Sequence, residues 1–296
     1  MSFRIVVTGV SGQVGGSLMA LPPIPGVTFV PAGRGVLDLA RPRGLAAALA
    51  ALAPDAVVNC AAHTAVDRAE SEAPLAFAVN AEAAGELAAA CAARGAPMVQ
   101  LSTDYVFDGS KTGAWTRTDA VAPLGVYGAS KEAGERAVRA ACPKHLIFRT
   151  SWVYAARGRN FVRTMLRLGA DRDELRVVAD QTGCPTAAPD LAAALAALAP
   201  RLARGDDLPW GTWHLAGREA TTWHGFAEAI FDCAAPVWGR RPAVLPIATA
   251  EYPTATPRPR NSALDSAETE RALGVEARSW RDALPPIVAE ILAQED

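Results

Sequence analysis

A tyrosine and a lysine, Tyr127 and Lys131, stand four positions apart in the stretch "LGVYGASKEAGE". The residues around them favour a helix, and a spacing of i and i+4 places both side chains on one helical face. A free tyrosine is a poor acid near neutrality because its pKa is about 10, and a neighbouring lysine lowers that pKa by stabilising the tyrosinate. The pair therefore predicts a proton donor, Tyr127, for a carbonyl oxygen. A surface helix with a solvated lysine is the alternative.

The stretch "QLSTDYVFDG" ends an apolar run with hydroxyls and an acid. A strand that ends at Thr103 places that hydroxyl where it can hydrogen-bond the same carbonyl oxygen and stabilise its developing charge. Asp104 and Tyr105 follow this hydroxyl, and we assign Tyr105 to the substrate. Local bonds from side chains to the backbone are the alternative. The order of the motifs favours a catalytic group of Thr103, Tyr127 and Lys131 that reduces a carbonyl.

Three glycines, Gly9, Gly12 and Gly15, lie in "TGVSGQVGGSL", between an apolar run and a helical pattern. Glycines in this position allow a tight turn, a close approach of the backbone to a pyrophosphate, and close packing of the helix on the sheet. The phosphates then bind the backbone amides at the start of the helix. The motif predicts a dinucleotide-binding loop; a glycine-rich turn without a ligand is the alternative.

The end of the second predicted strand bears on the choice of cofactor. An acid commonly binds the adenosine ribose of NAD at this point, but the chain reads "VPAGRGVLDLA" and has Arg34 there. A guanidinium suits the 2′-phosphate of NADP, which an acid would repel. We therefore expect Arg34 to favour NADPH, with NADH as the alternative. The later pair Asp38 and Leu39 could line the adenine.

Apolar runs and helical patterns alternate in the first half of the chain. Five runs predicted as buried strands are Phe3–Gly9, Val27–Val30, Asp55–Ala62, Pro97–Thr103 and His145–Ser151. Alanine-rich segments at 42–53, 74–94 and 128–141 have helical periodicity. Strands that are apolar throughout, with helices between them, indicate an α/β fold with a doubly wound parallel sheet.

The pattern loosens in the second half. Helices are predicted at 158–169, 188–199, 222–234 and 280–293, with proline-rich connections such as "EYPTATPRPRNS". We expect residues 1–151 to form a dinucleotide-binding domain. Residues 152–296 are expected to form mainly a smaller, irregular α/β substrate-binding lobe over the carboxyl ends of the strands. This division leaves room for strands or helices of the second part to return to the first.

The composition argues against several classes of protein. The 296 residues carry a net charge of −2, without the basic excess of a nucleic-acid-binding protein. We expect no secretion signal before "FRIVVTG", and no membrane span, since the Ala/Leu run Leu191–Pro200 is too short to cross a bilayer. The five cysteines form no CxxC pair, which predicts free thiols, no metal site and a cytoplasmic location.

Several stretches resemble known proteins. The glycine motif, the hydroxyl at the end of the fourth strand and YxxxK, in this order, resemble an extended short-chain dehydrogenase/reductase with its Rossmann-like sheet. The stretches "VNCAAHTAVDRAESE", "STDYVFDG", "CPKHLIFRTSWVYAARGRNFVRTMLRL", "DQTGCPT" and "YPTATPRPRNSAL" resemble the dTDP-4-dehydrorhamnose reductase family over nearly the whole chain.

The resemblance implies that NAD(P)H reduces the C4 ketone of dTDP-4-dehydro-β-L-rhamnose to give dTDP-β-L-rhamnose, the last step of dTDP-L-rhamnose synthesis. It implies that Thr103, Asp104 and Trp152 contact the sugar. It implies that Thr103, Tyr127 and Lys131 are the catalytic group. We also assign Tyr127 and Lys131 to the cofactor, since Lys131 can hold the nicotinamide ribose. The other cofactor contacts that it implies are Gly12, Gln13, Val14, Asp38, Leu39, Ala62, His63 and Thr64. A structural histidine is the alternative for His63.

Two arginines among prolines, Arg258 and Arg260, suit the diphosphate of a dTDP-sugar. We assign Arg258 to the substrate, and solvated loop arginines are the alternative.

Some relatives bridge a dimer with a magnesium ion held by carboxylates. The aligned positions of this chain hold Ser17 and Pro189, although Asp190 adjoins the second. Because magnesium prefers carboxylate oxygens, we expect this metal site to be missing or altered, and we leave a homodimer open.

Two other functions fit the same residues. The chain could reduce or epimerise another nucleotide-linked deoxyketosugar, since the choice of sugar depends on pocket shape. It could also be a non-catalytic NADP-binding regulatory subunit, as some members of the family are. The presence of Thr103, Tyr127 and Lys131 argues against that last function.

Overall fold

The structure of the protein, a computed structural model, describes residues 2–294. Its strands are β1 (Phe3–Thr8), β2 (Val27–Ala32), β3 (Ala56–Asn59), β4 (Met98–Thr103), β5 (His145–Thr150), β6 (Val153–Tyr154), β7 (Glu174–Val178), β8 (Thr182–Gly183), β9 (Thr186–Ala187), β10 (Gly211–His214), β11 (Thr221–Thr222) and β12 (Ala243–Ile247). Its α-helices are α1 (Gln13–Met19), α2 (Leu45–Ala51), α3 (Val66–Ser71), α4 (Ala73–Phe77), α5 (Ala83–Ala93), α6 (Val126–Ala141), α7 (Phe161–Asp171), α8 (Ala188–Arg204), α9 (Trp223–Trp238), α10 (Ala267–Leu273) and α11 (Trp280–Leu292).

Six parallel strands form the main sheet, in the order β10-β5-β4-β3-β1-β2. The chain starts at β1, one strand from the edge, moves outward to the edge strand β2, crosses back to β3 and then continues to β4, β5 and β10, which makes the sheet doubly wound. Five of the six strands are those predicted from the apolar runs. The predicted Rossmann-like α/β fold with a smaller second lobe is confirmed.

Helices cover both faces of this sheet, which explains why its strands are apolar on both sides. On one face, α2 and α5 bury Leu49 and Leu87 against the sheet. On the other, α1 and α8 bury Leu18 and Leu195. Full burial of each such side chain contributes roughly 1.5–3 kcal/mol.

Part of the second half belongs to the main sheet. Strand β10 pairs with β5, and α8 packs on α1. The rest builds a separate core from α7, α9 and α11 around Phe226 and Trp280, beside the parallel pair β7 and β12. Those short strands were not predicted because two to five residues show no clear periodicity. The division at residue 151 stays a prediction.

The predicted helix at 74–94 is interrupted by a π-helical turn, Ala78–Glu82, which joins α4 to α5. The whole run Ala73–Ala93 is long and apolar enough to cross a membrane by length and composition, although no membrane span was predicted here. It packs against α6 along its length, and 44% of its most apolar window is buried. This packing accounts for the apolar composition as that of a core helix.

A buried ion pair fixes α6 to the sheet. The Arg149 guanidinium, on β5, donates to both oxygens of Glu135 through Nε (2.9 Å) and Nη2 (2.7 Å). Ser102, on β4, donates to Glu135 Oε1 (2.6 Å). Burial raises the pKa of Glu135, but the hydrogen bonds from Arg149, Ser102 and Arg139 outweigh burial and hold that pKa below its usual value. The carboxylate is therefore charged and anchored at neutral pH.

Replacing Glu135 by alanine should lower the free energy of unfolding by about 3–5 kcal/mol, because it leaves the Arg149 charge buried without its partner. Urea denaturation of Glu135→Ala measures this loss. Arg136→Ala is the control: Arg136 is 68% exposed and pairs with Glu132 (3.1 Å), and it should cost at most about 1 kcal/mol. Equal losses in the two variants would contradict the role given to the buried pair.

Candidate active site

The carboxyl ends of β1, β3 and β4 meet at one edge of the main sheet. The parallel register places Thr8 beside Asn59 and Asn59 beside Gln100. Ligands bind at this edge in open parallel sheets. The predicted site residues at 9–15, 62–64 and 103–105 lie at these strand ends or within a few residues after them.

The loop after β1 packs backbone against backbone. Gly9 has φ +66°, and a Cβ built on it would lie 2.6 Å from the amide nitrogen of Ala61. A Cβ on Gly15 would lie 2.4 Å from the Gly9 carbonyl oxygen, which accepts from the amide of Gly12 (2.9 Å). Only glycine at positions 9 and 15 permits this turn. The loop therefore presents backbone rather than side chains to a ligand, which suits a pyrophosphate.

The first two residues of α1, which follow this loop, contact other parts of the protein. Gln13 donates from Nε2 to the Val153 carbonyl (3.2 Å), and its Oε1 accepts from Asn160 Nδ2 (2.9 Å). Val14 is buried in the core under the sheet. Gln13 thus joins the glycine loop to the first residues of the second half, whereas Val14 mainly packs.

The segment after β2 holds the residues expected near the adenosine. Arg34 is exposed in the turn that follows the strand. Asp38 accepts from the amide of Ala40 (3.1 Å), and Leu39 is buried in the core. The Arg34 guanidinium is accordingly accessible to a ligand.

Ala62, His63 and Thr64 follow β3, as required for a wall of the cofactor site. The amide of His63 donates to Asn80 Oδ1 (2.8 Å), and Asn80 Nδ2 donates back to the His63 carbonyl (3.1 Å). The His63 ring nitrogen Nε2 lies 2.9 Å from Glu72 Oε2. The backbone of His63 is therefore held by Asn80, and its ring is held by Glu72.

Asn80 was not recognised in the sequence. It lies in the π-helical turn and is buried, and its Nδ2 also donates to Ser130 Oγ (2.9 Å) on α6. A Cβ on Gly134 would lie 2.0 Å from the Asn80 carbonyl oxygen, so the two helices touch at their backbones. Asn80 connects the His63 segment to the helix of Tyr127. A lone asparagine in an alanine-rich helical pattern was the signal available.

Thr103 and Asp104 form a buried pair at the end of β4. The Thr103 hydroxyl donates to Asp104 Oδ1 (2.9 Å) and accepts from the amide of Tyr105 (3.2 Å). Asp104 is 2% exposed, and its Oδ2 has no hydrogen-bond partner among the residues described. Burial raises the pKa of Asp104 to about 7, although the nearby hydroxyls of Ser262 and Thr103 oppose the rise.

Tyr127 lies in the first turn of α6 and is 9% exposed. Its ring meets the edge of Tyr105 with centroids 5.6 Å apart. A Cβ on Gly128 would lie 2.1 Å from the Tyr105 carbonyl oxygen, so glycine is needed for this approach. The site therefore brings Tyr127 against the turn that carries Thr103 and Asp104.

The expectation that the pKa of Tyr127 lies below its usual value is wrong. Burial raises the pKa of Tyr127 to about 12, the Thr103 hydroxyl opposes the rise, and the charge of Asp104 adds to it. The Lys131 ammonium instead donates to the Leu101 carbonyl (2.7 Å). Sequence spacing correctly predicts a shared helical face, but it does not predict burial, which dominates here.

Lys131 is buried, and that burial lowers its pKa to about 8, against the opposing effect of Glu135 and Cys60. A buried ammonium needs hydrogen-bond acceptors. The Leu101 carbonyl is one, and it also accepts from Gln100 Nε2 (2.8 Å). Lys131 is therefore largely protonated at neutral pH and held at the sheet edge.

A ladder of buried amides continues from that carbonyl to β1. Gln100 Oε1 accepts from Asn59 Nδ2 (2.7 Å), and Asn59 Oδ1 accepts from the Thr8 hydroxyl. All three side chains are buried. This ladder of Thr8, Asn59 and Gln100 was not predicted, although polar residues inside strands that are otherwise apolar were its signal.

Trp152 lies just beyond β5 in an unusual backbone conformation, with φ +47°. Its ring stacks on Trp223 at 3.4 Å between centroids, and a Cβ on Gly183 would lie 2.3 Å from the same ring. A non-glycine residue with this φ is strained. The packing of Trp223 and Gly183 holds it there, so Trp152 forms a rigid wall.

The proline-rich segment brings Arg258 to the turn after β4. Arg258 lies over the Tyr105 ring at 6.0 Å and pairs with Asp67 (2.7 Å) on α3. Its Nη1 is buried without a hydrogen-bond partner in the part of the chain described. Arg260 is exposed. Of the two arginines, Arg258 is the one directed inward.

The carboxylate nearest to the expected magnesium position is already paired. Asp190 accepts from Arg278 through Nε (2.9 Å), Nη2 (2.8 Å) and the backbone amide (3.1 Å). Ser17 donates to the Gln13 carbonyl (2.8 Å). Within residues 2–294, no group of three or more His, Cys, Asp or Glu side chains is placed to hold a metal ion. These residues do not fit a magnesium site.

The arrangement can polarise and protonate a carbonyl oxygen. A hydroxyl and a phenol meet above the carboxyl end of β4, a protonated lysine lies one helical turn away, and a glycine loop fit for a dinucleotide follows β1. These are the features of an extended short-chain dehydrogenase/reductase.

Comparison with known proteins narrows this class. The RmlD substrate binding domain family matches residues 3–293. A dTDP-4-dehydrorhamnose reductase of Sinorhizobium fredii is 43% identical over 98% of both chains. Solved structures of the same-named enzymes from Clostridium acetobutylicum (TM-score 0.90, 36% identity, 98% of this chain and 99% of that one) and from Bacillus anthracis in complex with NADP (TM-score 0.89, 35% identity, 98% and 100%) are similar throughout. The chain belongs to the dTDP-4-dehydrorhamnose reductase family.

Replacing Gln100 by leucine should lower the free energy of unfolding by about 1–3 kcal/mol, because Asn59 Nδ2 then has no acceptor and the Leu101 carbonyl loses a donor. Urea denaturation checks this, with the exposed Gln294→Leu as a matched control expected to change little. A Gln100→Leu protein as stable as the control would show that the ladder contributes nothing.

Proposed function

We propose that this protein uses NADPH to reduce the C4 ketone of dTDP-4-dehydro-β-L-rhamnose to dTDP-β-L-rhamnose, the last step of dTDP-L-rhamnose synthesis. The names of its relatives support the substrate. The observation that carries the chemistry is that α6 brings Tyr127 against the turn after β4, which begins at Thr103, with Lys131 one turn further along the same helix.

The cofactor would lie across the edge of the sheet, and bound NADPH supplies the hydride. The three glycines of the loop after β1 would face its pyrophosphate, and the Arg34 guanidinium its 2′-phosphate. The other contacts proposed for it are Gln13, Val14, Asp38, Leu39, Ala62, His63, Thr64, Tyr127 and Lys131. The NADP complex of the Bacillus anthracis relative supports this cofactor, and NADH is the alternative.

Tyr127 would give its proton to the ketone oxygen. With a pKa raised to about 12, the phenol is fully protonated at neutral pH and does not ionise before the reaction. As the carbonyl carbon accepts the hydride, its oxygen becomes an alkoxide, which is far more basic than a tyrosinate. The proton then moves from the Tyr127 hydroxyl to that oxygen, and solvent later restores it.

Lys131 would act at the end of this transfer. The tyrosinate left behind is buried, and a buried anion needs a nearby positive charge. A protonated Lys131 on the same helical face supplies it. Loss of the lysine proton, which follows from its pKa of about 8, would remove this charge at alkaline pH.

The sugar nucleotide would be held between the two halves of the chain. Trp152 forms one wall, Asp104 and Tyr105 line the turn after β4, and the unpartnered Nη1 of Arg258 suits a diphosphate oxygen. We further propose that the enzyme is cytoplasmic, since its five cysteines are free thiols.

Tyr127→Phe should reduce kcat by about 10²–10⁴-fold and leave NADPH affinity nearly unchanged, because the ring stays and only the acid is lost. NADPH absorbance with enzymatically generated dTDP-4-dehydro-β-L-rhamnose measures turnover. The control is Tyr252→Phe, which alters a 60% exposed tyrosine. Near-normal turnover by Tyr127→Phe would refute the acid; no oxidation by the wild type would refute the substrate.

Arg34→Ala should weaken NADPH binding by about 10–100-fold, the loss expected for one hydrogen-bonded charge, and should leave NADH binding nearly unchanged. Fluorescence titration with each cofactor measures both constants. Arg43→Ala, at another exposed arginine of the same segment, is the control. An equal loss for both cofactors would mean that Arg34 does not read the 2′-phosphate.

A further inference from the structure

The Thr103 hydroxyl has a single proton, and in this structure it is directed at Asp104. Thr103 Oγ1 donates to Asp104 Oδ1 (2.9 Å) while it accepts from the amide of Tyr105 (3.2 Å). A charged carboxylate can only accept hydrogen bonds. As long as Asp104 is charged, Thr103 therefore has no proton for a substrate oxygen.

We propose that Asp104 controls Thr103: reduction requires Asp104 to be uncharged, because only then is the Thr103 hydroxyl free to donate to the ketone oxygen. Asp104 is in this respect a positioning residue that acts through Thr103. The inference rests on the proposed function and concerns the same reaction.

An uncharged Asp104 completes the hydrogen bonds of Thr103. Its own O–H can then donate to Thr103 Oγ1, whose second lone pair is taken by the Tyr105 amide. A hydroxyl oxygen has two acceptor positions and one proton. With both positions filled, the proton of Thr103 is left for the ketone oxygen, which is the polarity that an oxyanion requires.

A charged Asp104 opposes the reaction in two further ways. It raises the pKa of Tyr127 and so weakens the proton donor. It also repels the negative charge that develops on the ketone oxygen, and this repulsion is strong where water is excluded. The loss of the Thr103 proton, the weaker acid at Tyr127 and the repulsion of the developing charge all slow the reaction. The form with uncharged Asp104 is therefore the active one.

The surroundings of Asp104 favour its uncharged form. The titratable groups that face it are Tyr105 on the same turn, Tyr127 from α6 and Cys184 from the segment between β8 and β9. Arg258 lies over the Tyr105 ring and is itself paired with Asp67.

The remaining polar neighbour, Ser262, has its hydroxyl 3.3 Å from the Thr182 carbonyl. Burial raises the pKa of Asp104 to about 7, so both charge states occur near neutrality.

The test is the pH dependence of kcat between pH 5.5 and 9 at saturating NADPH and ketosugar. For the wild type, kcat should fall as pH rises through about 7, where Asp104 loses its proton. Asp104→Asn cannot become charged. In this variant, the midpoint of the decrease in kcat should shift upward by about one pH unit, to about 8, where Lys131 loses its proton. An Asp104→Asn profile with the wild-type midpoint would overturn the inference.

Variants at Thr103 test whether Asp104 acts through the hydroxyl. Thr103→Ser keeps the proton and should keep the wild-type midpoint. Thr103→Ala should lose about 10²-fold in kcat at low pH, and its kcat should fall by a smaller factor between pH 6 and 8 than that of the wild type, because only the two direct effects of the Asp104 charge remain. A fall as large as that of the wild type would overturn the inference even if Asp104→Asn did not fold. Asp232→Asn, at a side chain 64% exposed, is the control and should keep the midpoint.

Infrared difference spectra of the protein without ligands give a readout independent of turnover. Between pH 5.5 and 8.5 the wild type should lose a protonated-carboxyl band that Asp104→Asn lacks, and identical spectra would overturn the inference. No NADPH oxidation by the wild type at any pH would overturn the proposed function and the inference with it. Turnover with an unmoved midpoint in Asp104→Asn would overturn the inference alone.

Discussion

The hydrogen bond from the Lys131 ammonium to the Leu101 carbonyl is the constraint on which the site depends. A charge buried at the edge of a sheet is tolerated only where polar groups stabilise it. The amide of Gln100 and, behind it, Asn59 and Thr8 fix that carbonyl from the side of the sheet. The hydrogen bond between Lys131 and the Leu101 carbonyl also sets the distance between α6 and β4, and it therefore sets the position of Tyr127. The reactive groups are positioned by the interior of the sheet rather than by mobile loops.

The two halves of the chain contribute different properties to this site. The first supplies the proton donors and the glycine loop from elements held by the main sheet. The second supplies a wall, Trp152, whose strained backbone is maintained by the stacking of Trp223. Because Gln13 bonds directly to Val153 and Asn160, the cofactor loop and this wall are parts of one rigid structure.

Much of the fold could be predicted because its signals are local. The five buried strands are continuous apolar runs, and the loop glycines precede a helix. What could not be predicted depends on partners distant in sequence. Arg258 meets Asp67 across 191 positions, and the ladder pairs side chains of three strands. The raised pKa of Tyr127 likewise depends on burial, which the spacing of Tyr127 and Lys131 does not contain.

The glycines at 128 and 134 have a consequence for how such a site can change over time. Each lets α6 touch another backbone, at Tyr105 and at Asn80, at distances that a side chain would forbid. A glycine inside a helix costs roughly 0.5–1 kcal/mol relative to alanine, so close approach takes precedence over helical propensity here. Substitution of either glycine by a larger residue would push α6 away from these backbones and displace Tyr127, the proton donor, with it. The pattern Y-G-x-x-K-x-x-G is therefore a stricter signature for searching sequences than a tyrosine and a lysine alone.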